Sequence, residues 1–212
     1  MVVVGLTGGI ASGKSVVAKM LRERGAHLID ADALARKLVE PGEPALEEVV
    51  RAFGRGVLNP DGTLNRKALG GRVFQDPGER RRLEAILHPR IWAEEDALIE
   101  RYRPEDPRGV VVVEAALMVE TGSYRRFDLL VVVDCDERQQ VERLRERDGL
   151  GEEEARARLA AQMPLREKVK LAWRVVDNRG PLARTEGQVE ALMAELRRMA
   201  AEKRVDNPEA GM

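Results

Sequence analysis

The sequence predicts an α/β fold: a parallel β-sheet flanked by helices, with a helical insertion and a further helical excursion that reads as a lid. Three observations predict it. Valine-rich runs recur at residues 2–6, 109–114 and 128–134, and an unbroken β-branched run marks a strand buried on both faces, as in a parallel sheet. Helical stretches separate these runs, the alternation of a doubly wound sheet. No two of the runs are joined by a tight hairpin.

In chain order, residues 2–6 form the first strand, a glycine-rich loop follows, and residues 16–24 read as a helix stopped at Gly25. Residues 26–30 are a short second strand, which makes the opening a right-handed crossover unit. Residues 33–103 read as mostly helical, broken at Pro41-Gly42 and at the strong turn signal Asn59-Pro60-Asp61-Gly62. That is too long for a plain crossover, so it reads as an insertion. After the strand candidates at 109–114 and 128–134, residues 137–147 and 152–163 read as charged helices around Gly149-Leu150-Gly151, the lid candidate. His88-Pro89 sits between helical stretches. Residues 174–177 are a last short strand, 185–204 a terminal helix, and 205–212 a frayed end. The expected organisation is one domain over 1–212, with core segments 1–32, 109–136 and 174–204, a helical insertion at 33–108 and a lid at 137–173.

The loop Gly8-Gly9-Ile10-Ala11-Ser12-Gly13-Lys14-Ser15 matches G-x-x-x-x-G-K-[ST] at every specified position. It follows a buried strand and opens a helix at Val16, the context this motif requires. Its glycines let backbone N–H groups close around a phosphate without a clashing Cβ, and the helix behind it turns its positive end to the same anion. Lys14 neutralises β- and γ-phosphate oxygens, and the Ser15 hydroxyl coordinates Mg²⁺. Residues Gly8, Gly9, Ala11, Ser12, Gly13, Lys14, Ser15 and Val16 are therefore expected to hold a nucleotide.

Other candidates lie at strand ends and in the lid. Asp30 and Asp32 follow the second strand, where open α/β sheets bind ligands. One of them can take the proton of an attacking hydroxyl, while the other caps the next helix; Asp32 is favoured for catalysis. Glu114 and Asp134 end strands and Glu120 lies just beyond one, each either a ligand contact or an ordinary cap or ion pair. Arg143 and Arg147 share a helix face in the lid and are placed to clamp a transferring phosphoryl group, whereas Arg145 reads as a solvated charge. Arg166 is a further lid candidate. Asn178 either offers its amide to a base or shapes a turn.

Bulk composition excludes several classes. Net charge is −1, from 36 basic and 37 acidic residues, and aromatic residues are only 3%. Neither a global basic field nor a ring platform for nucleic acid is present. The apolar run at 110–119 contains Glu114 and is too short to span a membrane. A single cysteine, Cys135, permits no internal disulfide and fits a reducing, cytoplasmic location; it reads as a small filler at a strand end. The oligomeric state is not legible.

Together these segments resemble the dephospho-CoA kinase family. The matching stretches are Leu6-Thr7-Gly8-Gly9-Ile10-Ala11-Ser12-Gly13-Lys14-Ser15, Ile29-Asp30-Ala31-Asp32, Val39-Glu40-Pro41-Gly42 and Asp61-Gly62-Thr63-Leu64-Asn65-Arg66. They continue through Leu87-His88-Pro89, Leu117-Met118-Val119-Glu120, the run 143–148, Gln162, Arg166 and Asp177-Asn178-Arg179-Gly180. The resemblance implies a P-loop kinase core with a five-stranded parallel sheet, ATP and Mg²⁺, and phosphorylation of the ribose 3′-hydroxyl of dephospho-CoA. It implies Asp32 as base, Arg143 as a lid arginine and Asn178 as an adenine contact, with Arg66 and His88 on the acceptor side of a helical substrate subdomain; Glu120 is likewise expected to bind the substrate. Where the family has Pro-Leu-Leu, this chain has Ala116-Leu117-Met118, which relaxes one backbone angle.

Three alternatives stand beside it. Another nucleoside-monophosphate or small-molecule kinase would share the loop and the lid. A GTPase fits poorly, since Asp106-Pro107-Arg108-Gly109 precedes a strand and no N-K-x-D motif occurs. A non-catalytic nucleotide-binding module is disfavoured by intact Lys14, Ser15 and Asp32.

Overall fold

The computed structural model describes residues 1–203; the frayed end expected at 205–212 and the last residue of the expected terminal helix lie outside the described residues. Five strands form one sheet: β1 (Val2–Gly8), β2 (His27–Asp30), β3 (Val110–Glu114), β4 (Leu129–Asp134) and β5 (Arg174–Asp177), in the order β2-β3-β1-β4-β5. The pairing is parallel, with Val4 opposite Val112 on one side and Leu129 on the other, and Val132 opposite Val175. The valine runs are buried as expected: Val111, Val112, Val131 and Val132 are fully enclosed, each worth roughly 1.5–3 kcal/mol of hydrophobic stabilisation.

The chain divides into two compact units, Met1–Ile29 with the residues from Ile99 on, and Asp30–Leu98. In the first, α1 (Lys14–Glu23) and α9 (Leu182–Glu202) belong to the main core, in which Val17, Leu21, Leu192 and Leu196 join Val4, Leu6, Val131 and Val133. Gly25, with φ 90°, stops α1 as expected. Inside β1, Gly5 leaves room for Met118 and Phe127: a Cβ there would lie 2.6 Å from the Met118 sulfur and 2.8 Å from the Phe127 ring. The same unit carries α6 (Glu137–Asp148), α7 (Glu152–Ala160) and α8 (Leu165–Val169). The expected second helix of this stretch is shorter than read. It ends at Ala160, and Pro164 then starts α8, a helix the sequence reading did not separate.

The second unit is helical, with α2 (Ala31–Lys37), α3 (Pro44–Phe53), α4 (Arg66–Gln75) and the residues of α5 (Pro77–Glu105) up to Leu98. Two of its breaks fall at the expected turn signals, where Gly42 and Gly62 have φ of 94° and 82°, and a third separates α4 from α5 at Asp76. Across the second turn, Leu58 and Leu64 form a single antiparallel bridge. Val49, Phe53, Val57 and Leu69 make its main apolar cluster, with Leu83, Ile86 and Leu87 of α5 packed on it. His88-Pro89 was expected between helices and instead lies inside α5. Pro89 removes one helical hydrogen bond, but the preceding turn is held by its packing on the cluster, and burial outweighs the local preference.

Candidate active site

The phosphate loop leaves the carboxyl end of β1 and runs into α1. Two residues give it its path. Ala11 takes a left-handed conformation with φ 57°, the one positive-φ residue other than glycine among the described residues, and Gly13 follows with φ 93°. A left-handed non-glycine residue costs about 1–2 kcal/mol, and such strain concentrates at functional sites. No side chain caps α1, so its positive end is left for an anion. Ser12 Oγ is buried with no hydrogen-bond partner within the protein, a costly state that calls for a ligand or a functional reason.

Side chains far along the chain clamp the loop from behind. Asn178 Nδ2 donates to the Ser12 carbonyl at 2.8 Å, and its Oδ1 accepts from the Thr185 hydroxyl at 2.9 Å. A Cβ on Gly13 would come within 2.1 Å of that Asn178 nitrogen, so the position excludes a side chain for space as well as for φ. Arg143 reaches the same place: its guanidinium donates to the Ala11 and Ser12 carbonyls at 3.5 Å, to Asn178 O at 3.3 Å and to Cys135 Sγ at 3.3 Å. Gln140 and Gln162 grip one residue from two sides, the first donating to Ile10 O at 2.7 Å and the second accepting from Ile10 N at 2.8 Å. Val141, Leu144 and Ala155 make an apolar seat for Ile10 and Ala11.

Lys14 sits 3.5 Å from Glu114 at the end of β3, with both side chains largely buried. That resolves one ambiguity: Glu114 is an ion-pair partner of the loop lysine. Asp134, ending β4, lies 3.9 Å from Arg179. Arg179 is also hydrogen-bonded to Asp177, which it holds at a pKa of about 2, below the usual carboxylate range. Beside the loop apex a cavity of about 710 Å³ opens, lined by Gly9, Ile10, Asp134, Gln140, Arg166 and Arg179 among others. Burial raises the Cys135 thiol pKa above its ordinary value, although Arg143 opposes this, so the cysteine stays a protonated filler.

Ser15 stands exposed in the first turn of α1. Among the described residues no group of three or more His, Cys, Asp or Glu forms a metal cage. Mg²⁺ that shares a nucleotide's phosphates needs only one or two protein oxygens, and the Ser15 hydroxyl fits that demand. No helix among the described residues is long and apolar enough to cross a membrane.

The other candidates are engaged within the protein. Arg147 does not turn to the loop; it is exposed and hydrogen-bonded to Asp148 at 2.7 and 3.1 Å. Glu120, expected to bind the substrate, has its carboxylate 2.8 Å from Lys168 and accepts from Met163 N at 3.1 Å. The Asn178 amide, expected at adenine, is engaged with Ser12 and Thr185 as above. In the helical unit, Asp30 is the N-cap of α2, accepting from Ala33 N at 2.8 Å, while Asp32 lies in the helix's first turn. The cap of the Asp30/Asp32 pair is thus Asp30. Arg66 opens α4 and donates to Arg36 O at 3.4 Å; His88 stacks on Trp92 with centroids 5.5 Å apart. Lys168, whose side chain is fully buried, was missed, and its only sequence signal was a lysine in a short amphipathic stretch after a proline.

This arrangement has known counterparts. A crystal structure of TT1252 from Thermus thermophilus superposes with a TM-score of 0.78 at 38% identity, covering 92% of this chain and 97% of that one. A dephospho-CoA kinase from Campylobacter jejuni gives 0.67 at 27% identity, covering 93% and 98%. A shikimate kinase from Acinetobacter baumannii, 14% identical with a TM-score of 0.53 over 96% of this chain and 95% of that one, shares the fold. Among curated proteins, the dephospho-CoA kinase of Symbiobacterium thermophilum is 54% identical over 90% of this chain and 80% of its own length. That of Geobacter metallireducens is 52% identical over 92% and 96%. The family model described as dephospho-CoA kinase matches residues 2–184, and with a phosphate loop held by Asn178, Arg143, Gln140 and Gln162 the chain belongs to the dephospho-CoA kinase family.

Proposed function

We propose that this protein transfers the γ-phosphoryl group of ATP to the ribose 3′-hydroxyl of dephospho-CoA, giving coenzyme A and ADP in the cytoplasm. The observation that carries the reading is the pairing of a complete phosphate loop with family relatives bearing that activity's name over nearly the whole chain.

The loop's backbone N–H groups and the uncapped end of α1 bind the phosphates, and Lys14 moves its charge from Glu114 onto the β- and γ-oxygens. The buried Ser12 hydroxyl donates to the bound nucleotide and so gains the partner it lacks within the protein. The Ser15 hydroxyl would hold a Mg²⁺ ion, which would neutralise phosphate charge when bound. Asp32 accepts the proton of the attacking 3′-hydroxyl as general base. Its neighbour Asp30 caps α2. Arg143, the lid arginine, stabilises charge on the transferring group. Arg66 and His88 hold the acceptor, and residues 137–173 form the lid.

The test is mass spectrometry of the product after incubation with ATP, Mg²⁺ and dephospho-CoA, with AMP, dTMP and shikimate in parallel. A single phosphate gained by dephospho-CoA alone, at the 3′ position, is the expected result. Phosphorylation of another acceptor instead would keep the kinase chemistry and overturn the acceptor.

A further inference from the structure

A buried ammonium lies behind the first half of the phosphate loop. The Lys168 side chain in α8 is fully enclosed, and its Nζ meets Glu120 Oε1 at 2.8 Å, Ala116 O at 2.9 Å and Gly8 O at 3.5 Å. Three donors thus face three acceptors. Burying such a charge is not an economical way to gain stability, since well-packed apolar side chains usually do as well or better. What the arrangement does supply is geometry. It ties together three segments remote in sequence: the start of the phosphate loop, the turn after β3, whose last residue Glu114 pairs with Lys14, and α8.

The neighbouring contacts point the same way. Gln162 accepts from Ile10 N, Glu120 accepts from Met163 N, and the Thr7 hydroxyl donates to Ala115 O at 2.8 Å. Residues 162–168 therefore hold the loop at Gly8 C=O and at Ile10 N–H. In a trans peptide the carbonyl and the N–H point in opposite directions. Holding Gly8 C=O on the Lys168 side turns Gly9 N–H away from it, and holding Ile10 N–H turns Gly9 C=O away from Gln162. Two consecutive peptides of the loop are set by one strap.

We propose that Lys168 is a positioning residue for ATP. With Glu120 it fixes the orientation of the first peptides of the phosphate loop, so that the loop is formed before the nucleotide arrives. This rests on the reading that residues 8–15 bind the ATP phosphates. It also reassigns Glu120 from the acceptor to the nucleotide side.

The experiment measures ATP affinity by calorimetry, and KM for each substrate, in Lys168→Met, Lys168→Arg and Glu120→Gln, with unfolding followed in parallel. Losing hydrogen bonds from a charged group should weaken ATP binding by about tenfold to a hundredfold in Lys168→Met. KM for dephospho-CoA should stay within about twofold, and Lys168→Arg should recover part of the loss. If Lys168→Met does not fold, Glu120→Gln carries the test, with the same selective loss at smaller size. Unchanged ATP affinity in a folded variant, or equal losses for both substrates, would overturn the proposal. So would a rise confined to the dephospho-CoA KM in Glu120→Gln. A wild-type protein that fails to bind ATP would instead remove the underlying reading of the loop.

Discussion

Around the phosphate loop, buried polar side chains hold backbone groups one by one: Asn178 on Ser12, Gln140 and Gln162 on Ile10, Lys168 on Gly8 and Ala116. The unit Asp30–Leu98 is held differently. Its interior includes small apolar clusters around Phe53 and around Val39 and Leu46, and ion pairs such as Arg72–Glu79 and Arg90–Glu48 are partly exposed. Apolar contacts are non-directional, whereas hydrogen bonds fix angles. The contrast teaches where this molecule needs exact backbone geometry. A phosphate loop works only if its N–H groups already converge, while helices packed on apolar clusters can tolerate adjustment.

Replacing chemistry at the rigid side gives the largest expected effect. Lys14→Ala should lower kcat for phosphoryl transfer by at least about a hundredfold, measured as coenzyme A formed per minute. Asp32→Asn tests the other unit. It should cut kcat by about 10²–10⁴-fold while calorimetric ATP affinity stays near wild type, and wild-type turnover in this variant would end the base assignment.

Packing changes sharpen the comparison further. Phe53→Ala removes the centre of the insertion's cluster and should destabilise that unit by about 3–5 kcal/mol. Amide exchange should rise over residues 44–75 and stay slow in β1 and α1. Gly13→Ala meets both the φ of 93° and the Asn178 nitrogen. A loss of about 1–3 kcal/mol in urea unfolding is expected, partly relieved when Asn178→Ala is combined with it, because only the steric part is removed. The smallest effect is a pH dependence. Arg179 lowers the Asp177 pKa to about 2 from an ordinary 3.8. This stabilisation is complete above the ordinary value and is lost as pH falls through about 2. Asp177→Asn should flatten the stability profile in that acid window and nowhere else.

Much of this was legible in the chain. The valine runs gave the strands because burial on both faces leaves no polar alternation, and the loop motif carries its own geometry within eight consecutive residues. Asp30 and Asp32 remained ambiguous because capping and catalysis ask for the same side chain at the same kind of place; the hydrogen bond from Ala33 N assigns the cap to Asp30. His88-Pro89 misled because a local breaker was read without the packing that overrides it.

The sequence by itself determined the α/β class and the glycine-rich loop at residues 8–15, since each rests on periodicity or on contiguous spacing. The tertiary structure alone decided which side chains hold that loop. Lys168 meets Gly8 across 160 positions, Asn178 meets Ser12 across 166 and Gln162 meets Ile10 across 152. Pairings over such distances leave no local pattern, because they exist only once the sheet brings the carboxyl ends of β1, β3, β4 and β5 together.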